Sequence, residues 1–567
     1  MSKKALIAQL NEASRLLELV GAEGFKAGAY ASAVRQLEAF EGDFSALFME
    51  RRLGELRGIG KSLAAEMYAL NTREHLEILD ELYTQVPEGV RSLLRVAGLG
   101  PKKARVLWEN GVDDIEALAA AAEDGRLAKL KGFGAKSAEV LGGAAAFALN
   151  ARKRLRLDEA EALAAFLTGS LEELLPEAQL TWVGELRRGL ETVGTLKAVV
   201  TGVTGKALGE ALQTLGLDAE LSGDALRATL EGRGLEFTLT EPADYAAALV
   251  WQTGDEAFVA ALEKRATSLG AKLAPAGLTR AGERLELQAE EDVFAALGTG
   301  YVPPERRDLL LGTETGDLIT VQDMRGLVHN HSSYSDGAAT LREMVARARE
   351  LGYSYLAMAD HSKSSFYANG LTEARLELQA QEIAEIRREL EGEGSDFRVL
   401  HGLEVDIMPD GTLDFPDEVL ATLDYAVVSV HQHFTLDRTK QTERIIRAVH
   451  NPYADILAHM TGRLLLRRPG YEVDIGEVLQ ACAETGTIVE INANPRRLDL
   501  DWRDVSLAKE LGCHFAINPD AHHPDGYDDV RYGVLMARKA GLSAHDVVNT
   551  APSAETFLAS LKAKAAR

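Results

Sequence analysis

The stretch "GLVHNHSSYSDGAATLREM" (residues 326–344) is the starting point for interpreting this chain of 567 residues. It sets two of the 13 histidines, His329 and His331, one residue apart, and Asp336 follows shortly after. Alternate residues of an extended strand point to the same face, so the two imidazoles would face one way. Imidazoles together with a carboxylate suit a metal ion. A single HxH pair is weak evidence, so the prediction depends on further ligands elsewhere in the chain.

Composition predicts a multidomain globular protein. The length suits about three or four domains, and 46% apolar residues are enough for ordinary cores. No apolar run approaches a membrane span, and "MSKKALIAQLNEASRLLELVG" (1–21) predicts an amphipathic helix rather than a signal peptide. With Cys482 and Cys513 as the only cysteines, no disulfide framework is expected. We expect a cytoplasmic protein without a membrane partner.

Three similar segments, which we call the glycine hairpins, occur in the first 150 residues. They are "LGELRGIGKSLAAEM" (53–67), "LLRVAGLGPKKARVL" (93–107) and "LAKLKGFGAKSAEVL" (127–141). In each, two glycines allow a tight turn, and the helix that follows presents free N–H groups to an anion. The functional interpretation is binding of a nucleic-acid backbone without sequence readout. The alternative is a plain helix–turn–helix packing element.

Local charge decides between these interpretations of the glycine hairpins. The net charge of −25 disfavours a nucleic-acid partner. However, residues 91–111 carry five basic residues against one acid, and residues 127–141 carry three against one. Screening confines surface fields to about 8 Å at physiological salt, so local patches matter more than the sum. The repeated, locally basic segments therefore favour DNA-backbone binding.

The hydrophobic pattern changes along the chain. Residues 1 to about 150 predict short helices, and "LKAVVTGV" (196–203) and "LEFTLT" (235–240) predict strands, with a return to helix over 241–270. "YVPPERRDLLLGTETGDLI" (301–319) predicts the exit to a linker. From about residue 326, strand candidates alternate with helices, which is typical of a parallel sheet or barrel. These candidates are "YLAMAD", "RVLHGLEVD", "YAVVSVH", "DILAHM", "TIVEINA" and "HFAINPDAH".

Further ligand-type residues occur at the ends of these strand candidates. The carboxyl ends of parallel strands converge on one crevice, so ligands placed there can meet. Any one such histidine alone is more often a packed or surface residue, but nine at matched positions predict a site. Their mixture suits Zn²⁺, Mn²⁺ or Fe²⁺, and their number is enough for up to three ions. The predicted metal ligands are His329, His331, Asp336, His361, Glu404, His431, His459, Asp520 and His522.

The glycine hairpins resemble the helix-hairpin-helix motifs in the lyase-like and fingers regions of family X DNA polymerases. The resemblance implies sequence-nonspecific binding of DNA that is gapped or has recessed 3′ ends, and we expect a monomer. Glu66 occupies the position at which the family has its Schiff-base lysine, and Lys61 is nearby. The DNA-binding residues implied are Gly58, Gly60, Lys61, Gly98, Gly100, Lys102, Lys103, Gly132, Gly134 and Lys136.

The segment "VGELRRGLETVGTLKAVV" (183–200) resembles the family's palm motif, G-S-x-R-R followed by G-D-x-D. Thr195 and Lys197 stand at the two aspartate positions, although two-metal nucleotidyl transfer needs carboxylates there. The resemblance makes Arg187, Arg188 and Glu236 the candidate catalytic residues of the palm. We expect weak synthesis at most. Mg²⁺- or Mn²⁺-dependent use of dNTPs stays open, with Glu185 or Glu191 as substitute ligands.

The C-terminal motifs resemble the PHP phosphoesterase domain fused to bacterial family X polymerases. HxH with S-D-G is followed in order by A-D-H, G-x-E, S-V-H, A-H-x-T-G-R and D-A-H. The resemblance implies metal-dependent 3′→5′ exonuclease activity with Mn²⁺ favoured over Zn²⁺. Arg463 and Lys363 are the candidate catalytic contacts to phosphate, and His433 is an alternative ligand. We expect His401 and His523 to be structural.

The expected fold class is therefore multidomain: all-α helix-hairpin-helix regions, an α+β nucleotidyltransferase-like palm and thumb, and a distorted βα barrel. The expected function is DNA repair by a metal-dependent nuclease. Its rivals are a gap-filling polymerase and a non-catalytic scaffold for DNA ends, and the glycine hairpins disfavour a small-molecule phosphatase. The expected domains are lyase-like (1–82), fingers (83–154), palm (155–249), thumb (250–315), linker (316–325) and PHP (326–567).

Overall fold

The chain forms two compact units, residues 1–153 and 154–567. The computed structural model describes residues 3–22, 24–38, 40, 44–70, 73, 75–309 and 316–561. The expected end of the thumb at 310–315, and residues 562–567 of the expected PHP domain, lie outside the described residues. Among the described residues, no helix combines the length and apolar composition that a membrane crossing needs.

The first unit is all-α, as predicted. Its apolar residues recur at helical spacing, and they form one core that runs from Leu6 to Ala145. The expected N-terminal amphipathic helix is present as the first element. The α-helices are α1 (Lys3–Val20), α2 (Gly24–Glu38), α3 (Phe44–Met49), α4 (Lys61–Ala69), α5 (Glu77–Gln85), α6 (Glu88–Leu93), α7 (Pro101–Glu109), α8 (Ile115–Glu123) and α9 (Ala135–Arg152).

Each glycine hairpin leads into a helix: α4, α7 or α9. Gly98 and Gly132 have φ of 77° and 89°, a left-handed conformation that favours glycine. Among the described residues, no heavy atom comes within 4 Å of a Cβ placed on either. The turns are therefore held by backbone conformation rather than by close packing.

The second unit begins with an α+β segment whose core runs from Leu155 to Phe237. Its five-stranded sheet has the order β2-β4-β7-β6-β5, and β4 and β7 are parallel. The strands predicted at 196–203 and 235–240 are confirmed as β4 and β7. The elements are β1 (Leu155–Arg156), α10 (Leu157–Leu174), β2 (Gln179–Val183), α11 (Gly184–Arg187), β3 (Thr192–Val193), β4 (Thr195–Thr201), α12 (Gly205–Thr214), β5 (Ala219–Ser222), β6 (Ala225–Leu230) and β7 (Arg233–Leu239).

A smaller core, from Ala246 to Val302, follows. The helix predicted over 241–270 is divided into two at Gly254, which is extended with ψ of 149°. The Asp255 side chain then caps the second helix by accepting from the Phe258 N–H at 2.7 Å. The elements are α13 (Tyr245–Thr253), α14 (Glu256–Ser268), β8 (Ala271–Ala274), β9 (Gly277–Arg280), β10 (Glu283–Arg284) and α15 (Glu290–Ala296).

The C-terminal part forms a distorted βα barrel, as predicted. Its seven strands lie side by side in chain order, β11 to β17, and all neighbours are parallel. A bridge between Asn330 and Ala521 joins the first strand region to the last. The elements are β11 (Gly326–Leu327), α16 (Leu341–Glu350), β12 (Tyr355–Met358), α17 (Glu373–Gly392), β13 (Arg398–Asp406), α18 (Asp417–Leu420), β14 (Tyr425–Ser429), α19 (Arg438–Val449), β15 (Ile456–Leu457), α20 (Ile475–Thr485), β16 (Ile488–Asn492), α21 (Trp502–Glu510), β17 (Phe515–Asn518), α22 (Val530–Ala540) and α23 (Ala554–Ser560).

Glu290 is a buried carboxylate that ties α15 to two arginines. Its oxygens lie 2.6 Å from Arg187 Nη2 and 2.6 Å from Arg307 Nη1. Although burial opposes ionisation, the two guanidinium groups hold the pKa of Glu290 below its usual range. The stabilisation is therefore present above the ordinary glutamate pKa and is lost as the pH falls through the lowered value.

Glu290→Gln is expected to destabilise this segment by about 3 kcal/mol, because it leaves the buried Arg307 and the partly buried Arg187 without their anionic partner. Hydrogen exchange of peptides covering residues 246–302 measures the effect. Glu291→Gln, at the next and exposed position of α15, is the matched control and should leave the exchange rates as they are. Equal exchange rates in the two variants would show that the contacts of Glu290 with the two arginines contribute no stability.

Candidate metal centre

The carboxyl ends of the barrel strands bring all nine predicted ligands to one place. Their candidate donor atoms form four overlapping groups, and within each group the atoms lie within 4.8 Å of one another. The role of each residue as a ligand stays a prediction. The groups are His331, Asp336, His361 and His522; His329, Glu404 and His459; His329, His331 and Asp520; and His361, Glu404 and His431.

Glu404, on β13, lies at the centre of the cluster. Its Oε2 is 2.8 Å from His361 Nδ1, and its Oε1 is 2.9 Å from His459 Nε2 and 3.4 Å from His431 Nε2. Burial alone would raise its pKa, but the surrounding imidazoles hold the pKa of Glu404 well below its usual range. The carboxylate is therefore anionic, which suits a metal ligand.

Two carboxylates behind the cluster orient its histidines. Glu490, in the middle of β16, lies 2.6 Å from His329 Nδ1, and Asp406, at the end of β13, lies 2.6 Å from His431 Nδ1. In each case the imidazole donates from Nδ1 and leaves its Nε2 lone pair directed at the cluster. Metal-binding histidines are oriented by such carboxylates. Neither acid was predicted from the sequence, although an acid within an apolar strand, such as Glu490 in "TIVEIN", was the available signal.

At the edge of the cluster, His522 lies between two acidic residues. Its Nδ1 donates to the Asp520 backbone oxygen at 3.0 Å, and its Nε2 lies 3.2 Å from the Asp336 carboxylate. Burial opposes protonation, but the contact with Asp336 raises the pKa of His522 to about 9. His331, stacked on it at 4.2 Å, has its pKa lowered to about 3 by burial and by the neighbouring imidazoles.

Three of the nine residues have left-handed backbones. His329, His459 and Asp520 have φ of 61°, 26° and 51°. Such conformations cost of order 1–3 kcal/mol each in residues other than glycine, and they concentrate at functional sites. They direct these side chains into the crevice after each strand ends.

The donor set fits metal ions. His329 Nε2 is buried and has no hydrogen-bond partner among the described residues. Leaving buried polar atoms unpaired costs about 1–3 kcal/mol each, which coordination would remove. Imidazole nitrogens and carboxylate oxygens at this density are the donors that first-row divalent ions take.

A cavity of about 270 Å³ opens onto the cluster. Of the described residues, the cations that line it are Arg468 and Arg497, and Arg497 Nε lies 3.3 Å from Asp520. The expected phosphate contacts lie elsewhere. Arg463 binds Asp501 at 2.7 Å together with backbone carbonyls, and Lys363 binds Glu373 at 2.6 Å. Their catalytic role stays a prediction without geometric support.

The other histidines considered lie outside the four groups. His433, the alternative ligand, is exposed, with φ of 58°. His401 is buried on β13, and burial lowers its pKa to about 4. His523 caps the short helix at Pro524–Asp529 by accepting from the Asp525 N–H. The latter two positions agree with structural roles.

In the palm segment, Lys197 occupies the position of a carboxylate. The register of β4 and β7 sets Lys197 opposite Glu236, and Lys197 Nζ lies 3.4 Å from Glu236 Oε1. Arg227 Nε lies 2.7 Å from the other oxygen of the same carboxylate. Burial would raise the pKa of Glu236, but the two cations lower it. Glu236 is thus paired with protein cations on both oxygens.

The two palm arginines also have partners. Arg187 binds Glu290, and Arg188 binds Asp308 at 2.5 Å and the backbone oxygen of Thr253 at 2.7 Å. A cavity of about 630 Å³ beside them is lined by residues that include Arg188, Thr195 and Lys197. The substitute ligands considered are engaged as well: Glu185 binds Arg154 at 3.1 Å and Glu191 binds Arg503 at 3.0 Å.

The glycine hairpins expose the first turns of α4, α7 and α9. Gly60, Gly100 and Gly134 are the N-caps, without a capping side chain, and none of the three first turns contains an acid. Lys61, Lys102 and Lys136 are exposed, whereas Lys103 packs over Phe133. Glu66, at the expected lysine position, accepts from Tyr30 and from the Ile78 N–H.

Four regions match known families. Residues 1–76 match a helix-hairpin-helix domain, and residues 90–141 match a SAM-like helix-hairpin-helix tandem. Residues 248–308 match the DNA polymerase beta thumb, and residues 328–494 match the PHP domain. The PHP match spans five of the seven barrel strands, all except β11 and β17.

Curated relatives extend these matches. The DNA polymerase/3′-5′ exonuclease PolX of Bacillus subtilis (strain 168) is 34% identical over 562 residues, which is 97% of each chain. Probable phosphatases of Thermoanaerobacter sp. (strain X514) and Vibrio vulnificus (strain YJ016) are 30% and 25% identical over 39% and 40% of this chain, covering 89% and 88% of their own lengths. Together with the clustered imidazoles and carboxylates of the barrel, the full-length match shows that the chain belongs to the family X DNA polymerases that carry a PHP domain.

Proposed function

We propose that this protein is a DNA-repair nuclease that hydrolyses phosphodiester bonds from the 3′ end in the metal centre of its barrel. The observation that carries the proposal is the convergence of nine imidazole and carboxylate side chains at the end of the barrel. The full-length relative named an exonuclease and the shorter relatives named phosphatases support the same chemistry.

The residues of the metal centre would have different roles in holding metal ions. His329 and His431 hold a proton on Nδ1, donated to Glu490 and Asp406, so each Nε2 remains a ligand. Glu404 would hold metal ions together with His361 and His459, which contact its two oxygens. The chemistry that bound ions supply is a lowered pKa for an attacking water and neutralisation of charge at the phosphate.

Substrate phosphate would be held at the cavity wall. Arg468 and Arg497 line the cavity, and guanidinium groups bind phosphate oxygens in a fork geometry. Carboxylates such as Asp520 would repel a phosphate unless ions lay between them. We therefore propose Mn²⁺ or Zn²⁺, up to three ions, as the cofactors.

DNA would be bound by the glycine hairpins. The uncapped first turns of α4, α7 and α9 present N–H groups, and exposed lysines accompany them. Such contacts bind phosphates without reading bases. We propose gapped DNA or DNA with recessed 3′ ends as the substrate.

Lys136→Ala is expected to weaken DNA binding about equally for all sequences. It should also reduce the slope of log K against log[salt] by roughly 0.9 for the lost phosphate contact. Fluorescence anisotropy with a labelled gapped duplex across a salt series measures both quantities. Lys136→Arg keeps the charge and is the matched control. An unchanged slope in Lys136→Ala would exclude a phosphate contact at this position.

Gap filling in the palm is the second candidate function. It is favoured by the cavity of about 630 Å³ and by the name of the full-length relative. The pairing of Glu236 with Lys197 and Arg227 opposes it, because metal ions would have to displace protein cations. We propose that synthesis is weak and that dNTPs are minor substrates.

Incubation of 5′-labelled gapped DNA with Mn²⁺, with and without dNTPs, separates the candidates. Shortening without dNTPs supports the nuclease, whereas extension with dNTPs that persists in His331→Ala or Asp520→Ala supports the polymerase. A gel shift without either reaction supports a scaffold for DNA ends. Shortening that persists in both variants would locate hydrolysis outside the barrel.

We also propose the domain boundaries given by the sequence as the working division of the chain. Separate apolar cores at Leu155–Phe237 and Ala246–Val302 support the boundaries near residues 154 and 249, whereas one core from Leu6 to Ala145 runs across the expected boundary at residues 82 and 83. The monomeric state remains a prediction from the sequence.

A further inference from the structure

An aromatic pair stands exposed beside the metal centre. Phe366 and Tyr367 leave 79% and 59% of their surface exposed. Their ring centroids lie 5.9 Å apart and their planes are 79° apart, so a flat group stacked on one ring would meet the edge of the other. Tyr367 lines the same cavity as His361, Glu404 and His431. Exposed adjacent aromatics at the mouth of a polar cavity are unfavourable in water unless they have a partner, so they indicate a binding surface.

The segment that carries this pair is held in place. Ser364 and Ser365 donate to the Asp406 carboxylate at 2.5 Å and 2.8 Å, and this carboxylate also orients His431. On the other side, Asn369 has φ of 55°, and its side chain donates to the Ser335 backbone oxygen at 3.2 Å. These hydrogen bonds hold the turn that carries the two rings, which lowers the entropy cost of binding a ligand.

A second aromatic and two cations line the same cavity. Phe434 is stacked on Tyr471, with centroids 5.9 Å apart and planes 19° apart, and the Arg468 guanidinium lies 4.3 Å from the Phe434 centroid. Arg497 lies beyond it, next to Asp520. Aromatic faces for a base therefore occur beside guanidinium groups for a phosphate and beside the proposed hydrolytic centre.

We propose that Phe366 and Tyr367 form a stacking site for the unpaired 3′-terminal base of the DNA strand being trimmed. The inference rests on the proposed nuclease function and names the residues that select its substrate. A base inside a duplex is already stacked and cannot offer its face to a protein ring, so the site favours a frayed or single-stranded end. Every base has a π-face, so selection is by pairing state and not by sequence.

The test compares two DNA substrates that differ in one base. Each is a 5′-labelled duplex with an unpaired 3′ tail, ending either in a normal nucleotide or in an abasic tetrahydrofuran residue. The measured quantity is the ratio of kcat/KM for the base-bearing end to that for the abasic end, with Mn²⁺ present. Stacking predicts a ratio of about ten in the full-length protein. It predicts a fall toward one in Phe366→Ala and Tyr367→Ala.

Phe166→Ala is the matched control, because Phe166 is 66% exposed on α10, away from the cavity. It should keep the ratio of the unsubstituted protein. Tyr367→Phe keeps the ring and should restore the ratio that Tyr367→Ala loses, which separates stacking from a general loss of folding. A ratio that Phe366→Ala and Tyr367→Ala leave unchanged would overturn the proposal.

A binding measurement keeps this inference separate from the nuclease proposal. A tailed duplex with 2-aminopurine at its 3′ terminus and a non-hydrolysable 3′-terminal linkage is titrated with the protein in the presence of Mn²⁺, so binding is measured without hydrolysis. Quenching of the fluorescence that weakens at least twofold in Tyr367→Ala supports the stacking site. If the protein trims no DNA, the nuclease proposal fails, and the presence or absence of this quenching still decides on the stacking site.

Discussion

Glu404→Gln is expected to abolish DNA trimming, with a loss of more than about 100-fold, because even outer partners of metal ligands contribute about 10–100-fold. Glu404 contacts His361, His431 and His459 through its two oxygens at 2.8–3.4 Å. An amide has the same shape but supplies one neutral acceptor and no negative charge. We expect the variant to lose bound metal as well as activity.

The measurement pairs the rate of shortening of 5′-labelled DNA with metal content by elemental analysis. Asp406→Asn, which replaces the anionic acceptor of His431 Nδ1 with a neutral amide, should give an intermediate loss of about 10–100-fold. Glu418→Gln, at an exposed position of α18, is the control and should resemble the unsubstituted protein. Full trimming by Glu404→Gln would mean that hydrolysis occurs elsewhere in the chain.

Replacing Thr195 and Lys197 together by aspartate is expected to raise dNTP incorporation by more than about 100-fold. Metal ions at a phosphoryl centre contribute several kcal/mol, and each 1.4 kcal/mol is a factor of ten in rate. Lys197 Nζ now lies 3.4 Å from Glu236 Oε1, so it fills the position of a cation. Its replacement removes that charge and adds carboxylates next to Glu236, to which a divalent ion can bind.

Primer extension on gapped DNA measures this gain, in a Glu404→Gln background so that trimming does not remove the product. Lys206→Asp makes the same charge change at an exposed lysine of α12 and is the control. Efficient Mg²⁺-dependent extension by the unsubstituted protein would contradict the account of the palm. A double variant that binds DNA normally and still fails to extend the primer would also contradict it.

The ligand cluster could be predicted because its members lie within or soon after strands that the sequence pattern already indicates. The cations that line the cavity could not be predicted from the sequence. Arg463 lies four residues after His459, but its side chain turns away to Asp501, whereas Arg468 and Arg497 line the cavity. The course of the loops after β15 and β16 decides which guanidinium reaches the phosphate, and periodicity carries no information about loops.

Most of the barrel strands were predicted in the right order but too long, whereas "RVLHGLEVD" coincides with β13. "DILAHM" predicts a strand to residue 460, whereas β15 ends at Leu457, because the backbone of His459 is left-handed with φ of 26° and cannot continue the ladder. The helix predicted over 241–270 is interrupted by the extended Gly254. Where a site residue or a cap needs a special conformation, it overrides the hydrophobic pattern.

Anomalous diffraction at the manganese and zinc edges from crystals of the full-length protein tests the central claim most directly. The account predicts anomalous peaks at about 2.0–2.3 Å from the donor atoms of the four groups around Glu404. It predicts no peak between Thr195, Lys197 and Glu236. Peaks in the palm together with an empty barrel, in crystals grown with Mn²⁺ and Zn²⁺, would contradict it.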